Sequence, residues 1–328
     1  MKWSENKDMA FSWGRQKRYH SYPEMYRSKF GMRVQKVAVD AGFTCPNRDG
    51  KSGRGGCTYC NNDAFNPSYC HKGKNIGEQV HEGIEFHRTR YRRARQYLVY
   101  FQTYSNTYAP LEELMHKYEE ALSCEGVIGL VIGTRPDCVE DEKLDYLSEL
   151  AKKYYIKVEY GIESVRDETL QAINRGHSFA ESVDALRRTH ARGIPAGAHF
   201  IIGLPGENEH TLREDISVIS SLSLESIKFH QLQIIKGTAM EIHYRNYPGA
   251  FHMYELAEYL DLLTSLVERL NPAISIERIA AEVPPRYLAS PAWERVRYDE
   301  VLRLFGKKLE EKNTWQGRLY QKNQPIEP

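Results

Sequence analysis

Between positions 34 and 234 the chain alternates short apolar runs with longer segments of helical period. The runs VQKVAVDAGF (34–43), QYLVYFQ (96–102), VIGLVIG (127–133), YYIKVEYGI (154–162), IPAGAHFII (194–202) and SIKFHQLQI (226–234) have the length of strands. Most are nearly continuous in apolar residues, as strands covered on both faces are. Segments of period near 3.6 fall between them and predict helices over 76–94, 110–123, 140–152, 179–192 and 208–222. Pro110 opens one helix, Gly193-Ile194-Pro195 ends another, and Gly203-Leu204-Pro205-Gly206 turns the fifth strand into its helix. Strands alternating with helices in this way predict an α/β fold with parallel strands and right-handed crossovers, a partial (β/α)6 TIM-like barrel. Beyond about 245 the alternation gives way to a helix (253–270), a short strand (274–279), a Pro-rich loop and a charged helix (296–312). This predicts a C-terminal α-rich cap. The organisation expected is an aromatic and basic lead-in (1–33), the barrel core (34–245) and the cap packed on it (246–328), ending in a tail.

Length and charge narrow the picture. A chain of 328 residues can bury a proper core as one large barrel or two ordinary domains. With 45 basic and 44 acidic side chains, it has no global attraction for nucleic acid or an anionic membrane, so either partner needs a local patch. No apolar segment reaches the roughly 20 residues of a membrane span, and the polar start has no secretory core region. A soluble, cytoplasmic protein is expected. Its six cysteines are too few for a disulfide framework, which makes the clustered ones candidates for metal ligation.

Those cysteines lie in the loop after the first strand: Cys45, Cys57 and Cys60, spaced C-x11-C-x2-C among Gly, Asn and Asp. Thiolates are soft anionic ligands suited to iron–sulfur clusters and zinc. A structural zinc site closes with a fourth Cys or His, for which Cys70 and His71 are the nearest candidates. A cubane cluster on three cysteines instead keeps one iron open for a chelating ligand.

The segment AGFTCPNRDGKSGRGGCTYCN, with Tyr59 inside its C-x2-C, resembles the radical S-adenosylmethionine superfamily over roughly residues 34–280. Most of that superfamily uses C-x3-C-x2-C. The longer first gap is similar to a subgroup that includes the catalytic subunit of Elongator, and Asn174-Arg175-Gly176-His177 matches that subgroup as well. The resemblance implies a [4Fe–4S] cluster on the three cysteines and S-adenosylmethionine on its open iron. Reductive cleavage then yields methionine and a 5′-deoxyadenosyl radical that abstracts hydrogen from a substrate. The electron would come from a flavodoxin- or ferredoxin-like donor.

In a parallel barrel, ligands sit at the C-terminal ends of the strands. Tyr104 and Ser105 follow the second strand, where the family commonly has glycines whose backbone receives the methionine amino group. Glu163 follows the fourth and stands where the family has Gln. Arg175 is the natural fork for the methionine carboxylate. His199 on the fifth strand matches a ribose contact, and Leu232 on the sixth offers backbone to adenine.

For substrate chemistry the candidates are Cys138, a hydrogen-atom donor or a packed thiol, and Lys228 with His230, which share one face of the sixth strand. Lys228 and His230 are either a polar substrate site or a buried ion pair and a satisfied core histidine. Arg135, Asp137 and Arg278 are expected at the same mouth, with Cys70 and Cys124 inert. The lead-in WGRQKRYHSYPEMYRSKFGMR and the run HRTRYRRARQY (87–97) are candidates for RNA phosphates with stacking tyrosines, or for a solvated helix face. Members of the subgroup include lyases that fragment the modified nucleobase queuine. Three readings stand at this point: a radical enzyme on a small molecule such as a modified base, a radical enzyme on tRNA, and a zinc-stabilised, non-catalytic RNA-binding protein.

Overall fold

Seven parallel strands in chain order form the sheet of the computed structural model, which describes residues 10–90, 94–290, 293 and 296–322. They are β1 (Val34–Val39), β2 (Gln96–Phe101), β3 (Val127–Thr134), β4 (Tyr155–Glu163), β5 (Ala196–Ile202), β6 (Ser226–Gln231) and β7 (Ser275–Arg278). Each pairs in parallel with the next, so every connection crosses over. The outer face carries the apolar core: Val99, Phe101, Leu130, Ile132, Ile156, Val158 and Ile227 are almost fully buried beneath the helices.

The helices are α1 (Tyr22–Phe30), α2 (Pro46–Asp49), α3 (Ile76–Arg90), α4 (Leu111–Leu122), α5 (Asp141–Ala151) and α6 (Asp167–Ala172). After these come α7 (Phe179–Ala191), α8 (Glu209–Ser221), α9 (Ala239–Asn246), α10 (Leu256–Val267) and α11 (Tyr298–Glu311). Local chemistry sets several ends. Ser178 accepts from the Glu181 amide while Glu181 reaches back, a capping box that starts α7, and Asn208 does the same with Thr211 for α8. In α4 the buried residues are Leu114, Tyr118, Ala121 and Leu122, one stripe at helical spacing against the sheet.

Two segments depart from the sequence-based expectation. The strand near 275, expected within the cap, joins the sheet as β7, with Ser226 opposite Ser275 and Lys228 opposite Arg278. Its alternation explains why: Ile274 and Ile276 go to the core, while Glu277 reaches Lys36 of β1 at 2.7 Å. An ion pair between the first and last strands shows how far the sheet curls. The lead-in, in turn, is not a surface of stacking tyrosines. Tyr19, Tyr22 and Tyr26 are about 5% exposed; Tyr22 and Tyr26 pack with Leu98, Tyr100 and Val131 inside the barrel's N-terminal end, and Tyr19 joins the main core. Ring area is better buried there than solvated. Residues 1–9 of the lead-in and 91–93 of the basic run lie outside the described residues. No helix among the described residues is long and apolar enough to cross a membrane.

Candidate active site

The eleven-residue gap between Cys45 and Cys57 is a folded unit. Pro46 starts the short turn α2, Gly50 at φ 99° reverses the chain, and Asp49 and Arg54 pair as an antiparallel bridge. The Gly56 amide then returns to the Asn47 carbonyl at 2.9 Å. Asn47 is completely buried at the centre, and a Cβ on Gly53 would stand 2.1 Å from its Oδ1, so that glycine is sterically required. The Asn47 Nδ2 donates to the Asn174 carbonyl and lies 3.6 Å from Cys57 Sγ. Sequence reasoning passed over Asn47; the glycines that enclose it were the available sign.

Cys45, Cys57 and Cys60 line one cavity at the C-terminal ends of the strands. Cys45 and Cys57 are buried and Cys60 partly so. Burial, Cys57 and Cys45 push the Cys60 thiol up to about 11, a crowding of sulfurs that a cationic centre relieves. Around Cys57 the protein places N–H donors: Arg175 Nη1 lies 3.3 Å from its Sγ, beside Asn47. Arg175 also donates to the Gly161 carbonyl and lies 3.8 Å from Glu163, while its buried Nε has no partner. Cys70 and His71 do not join this group. The Cys70 sulfur donates to the Ala38 carbonyl at 3.1 Å behind β1, and His71 accepts from the Gly73 amide. Among the described residues, no three His, Cys, Asp or Glu side chains converge on a single-ion site.

The remaining expected cofactor residues line the same cavity: Tyr104, Ser105, Glu163, Arg175, His199 and Leu232. Tyr104 adopts φ 60°, the left-handed conformation that favours glycine, so the loop keeps a glycine-like course without one. Arg48 stacks on its ring at 5.3 Å. The Ser105 amide is engaged by the Thr44 carbonyl at 3.3 Å. Glu163 and Asn174 also have positive φ, at 74° and 51°, and backbone strain of this kind concentrates at functional sites. Burial raises the Glu163 carboxyl, with Arg175 and a hydrogen bond from Tyr59 opposing. Leu232 donates its amide to the Ile202 carbonyl at 2.9 Å and packs beside Tyr59.

Below the mouth, the inner face of the sheet carries charge where barrels of this kind carry branched apolar residues. Glu159 of β4 accepts from Lys228 at 2.5 Å and Lys36 at 2.7 Å, with Lys157 at 3.3 Å. Glu277 binds Lys36, Lys228 and Lys157 at 2.7, 3.2 and 3.4 Å. Gly197 makes the room, since a Cβ there would meet Lys157, Glu159 and Ser226 at 3.0–3.1 Å. Burial alone would raise Glu159, but Lys228, Lys36 and Lys157 hold it well below the carboxylate range. Against burial, the lysines likewise hold Glu277 at about 2.

His199 Nε2 lies 3.3 Å from Glu159, and burial followed by Lys228 lowers it to about 4. His199 thus contacts this floor as well as lining the mouth. Lys228 is in a buried ion pair and also lines the cavity, as His230 does; Cys138 does not. Burial and Asp137 push the Cys138 thiol up to about 12.

The sequence carries two matching family signatures. Residues 45–219 match the model of the radical SAM superfamily, and residues 224–310 match the radical SAM C-terminal domain. The chain belongs to the radical SAM superfamily. It is 35% identical over 313 residues to "Uncharacterized protein YtqA" of Bacillus subtilis, covering 94% of each. To "Protein YhcC" of Escherichia coli it is 34% identical, over 84% of this chain and 87% of that one. In fold it is similar to the archaeal Methanocaldococcus infernus Elp3, with a TM-score of 0.66 at 16% identity over 86% of this chain and 64% of the other. The radical SAM protein described here is of the YhcC/YtqA type, an enzyme whose cofactors are a [4Fe–4S] cluster and S-adenosylmethionine. The non-catalytic zinc reading falls on that membership, and Cys70 and His71 stand apart from the three cysteines.

Proposed function

We propose that Cys45, Cys57 and Cys60 hold the cluster and that the enzyme acts on a modified nucleobase as a queuine lyase-like fragmenting enzyme. The observation carrying the first part is the convergence of these sulfurs in one cavity with N–H donors on Cys57. When bound, the cluster supplies the electron that cleaves S-adenosylmethionine and generates the 5′-deoxyadenosyl radical. The chain's own residues bind and orient. Arg175 and Glu163 form the polar wall beside Cys57 for the methionine moiety, with Tyr104 and Ser105 offering backbone. The Leu232 backbone receives the adenine, and His199 meets the ribose. Residues 34–245 form the catalytic barrel and 246–328 its cap, with β7 shared into the sheet. The electron donor is a flavodoxin- or ferredoxin-like carrier, and the enzyme works in the cytoplasm.

Support for a small-molecule substrate comes from depth: the cavity continues past the cysteines to Tyr100, Glu159 and Lys228. A second reading, action on tRNA, is favoured by relatives named "tRNA uridine(34) acetyltransferase", such as that of Methanocaldococcus infernus, 22% identical over 48% of this chain. Incubating the reduced holoenzyme with queuine and with bulk tRNA separates them. The base reading expects consumption of queuine with matching 5′-deoxyadenosine and no salt-dependent tRNA gel shift. Change confined to tRNA would reverse the choice.

A further inference from the structure

The cavity has two kinds of polar wall. Its inner cations are met within the protein: Arg135 by Asp137 at 2.8 Å, Arg175 by Glu163 at 3.8 Å, and Lys228 by Glu159 and Glu277 at 2.5 and 3.2 Å. Besides Ser105 Oγ and Arg175 Nε at the cysteine end, three other lining residues carry buried polar atoms without a hydrogen-bond partner: Asn62 Nδ2, His230 Nε2 and Gln233 Oε1. Buried polar atoms are nearly always paired, because leaving one without a partner is costly. Orphans lining a pocket are groups that a ligand satisfies.

All three are neutral. Asn62 and Gln233 are amides, and burial, His199, Arg278 and Lys228 hold the His230 imidazole well below its usual range. Flat aromatic surface is available in the same cavity, which Tyr59, Phe65 and Tyr100 also line.

We infer that Asn62, His230 and Gln233 form the substrate-recognition wall, and that they read a neutral heterocycle carrying a donor and an acceptor on one edge, as a lactam-bearing base does. The assignment rests on the proposed base reading and deepens it by naming the residues that select the base. A carboxylate or phosphate would instead seek an uncompensated cation. Arg48 and Arg278 are such groups on this cavity: both are exposed and, among the described residues, without an ion pair.

Isothermal titration of the anaerobically reconstituted full chain with 7-deazaguanine, and separately with inorganic phosphate, tests it. Binding of 7-deazaguanine is expected, weakened about tenfold or more in His230→Leu and in Gln233→Leu, partly restored in His230→Asn, and changed less than about threefold in Arg278→Ala. Far-UV circular dichroism confirms that each variant is folded. Phosphate binding that Arg278→Ala or Arg48→Ala abolishes would overturn the inference. So would base binding indifferent to His230→Leu and Gln233→Leu, or no base binding. Cleavage of S-adenosylmethionine without added base is scored in parallel: 5′-deoxyadenosine formed without base binding sinks this inference alone, whereas base binding without 5′-deoxyadenosine sinks the radical reading.

Discussion

The cysteine loop and the barrel floor are both polar and both line one cavity, yet they are built in opposite ways. In the loop, sixteen consecutive positions from Cys45 to Cys60 supply the three sulfurs and the turn that gathers them. The floor takes its charges from four strands: Lys36 from β1, Lys157 and Glu159 from β4, Lys228 from β6 and Glu277 from β7. A local site survives loss of one member as a fold while losing its chemistry. A distributed buried network behaves the other way, because removing one member strands the rest.

Substitutions break that comparison in graded steps. Cys57→Ala has the largest expected effect: with Cys57 holding the cluster as proposed, 5′-deoxyadenosine formation falls below detection while the circular dichroism spectrum stays native. Next comes Glu159→Gln, which leaves three lysines to one carboxylate. Denaturant titration should show a loss of about 3–5 kcal/mol, the cost of an uncompensated buried charge; a loss below about 1 kcal/mol would mean that water reaches the floor freely. Arg175→Lys is intermediate. It keeps the charge but not the fork on Cys57 and Gly161, and should weaken S-adenosylmethionine binding about 10–100-fold, read by titration, with stability little changed.

Proton linkage probes the floor more gently. His199 has an ordinary value of 6.5 and is lowered to about 4 in the folded protein. Below pH 6.5 the unfolded chain therefore binds the proton first, and stability falls as pH drops from about 6.5 toward 4. Glu277, depressed from 4.5 to about 2, adds a further loss as pH drops below 4.5 toward 2. Urea midpoints across these windows should decline, less steeply between pH 6.5 and 4 in His199→Gln. The smallest effect belongs outside both regions: Ser178→Ala removes the α7 cap, costs about 1 kcal/mol and leaves cleavage unchanged.

The same contrast explains what could be read from the sequence. Strands and helices of the barrel were legible to within a few residues because apolar runs covered on both faces leave a continuous signal, as at 127–133, observed as β3. That the three cysteines come together in one cavity was legible because their spacing is local. Glu159 and Lys157 were not, since each is a single charge inside an apolar run; they meet each other along β4, but their other partners arrive only when β1, β6 and β7 come round to them. β7 was misplaced for the same reason: four residues, Ser275–Arg278, carry little periodicity, and what binds them to the sheet is pairing with β6 and the Lys36–Glu277 contact. The lead-in tyrosines showed their aromatic character but not which surface they cover.

The most direct test of the central claim, that the three cysteines hold a cluster that cleaves S-adenosylmethionine, is anaerobic reconstitution followed by reduction in its presence. The account predicts about four irons per chain and equal amounts of methionine and 5′-deoxyadenosine, with iron and product both lost in the triple Cys45→Ala, Cys57→Ala, Cys60→Ala variant. A chain that takes up no iron, or whose triple variant still loads and cleaves, would contradict it.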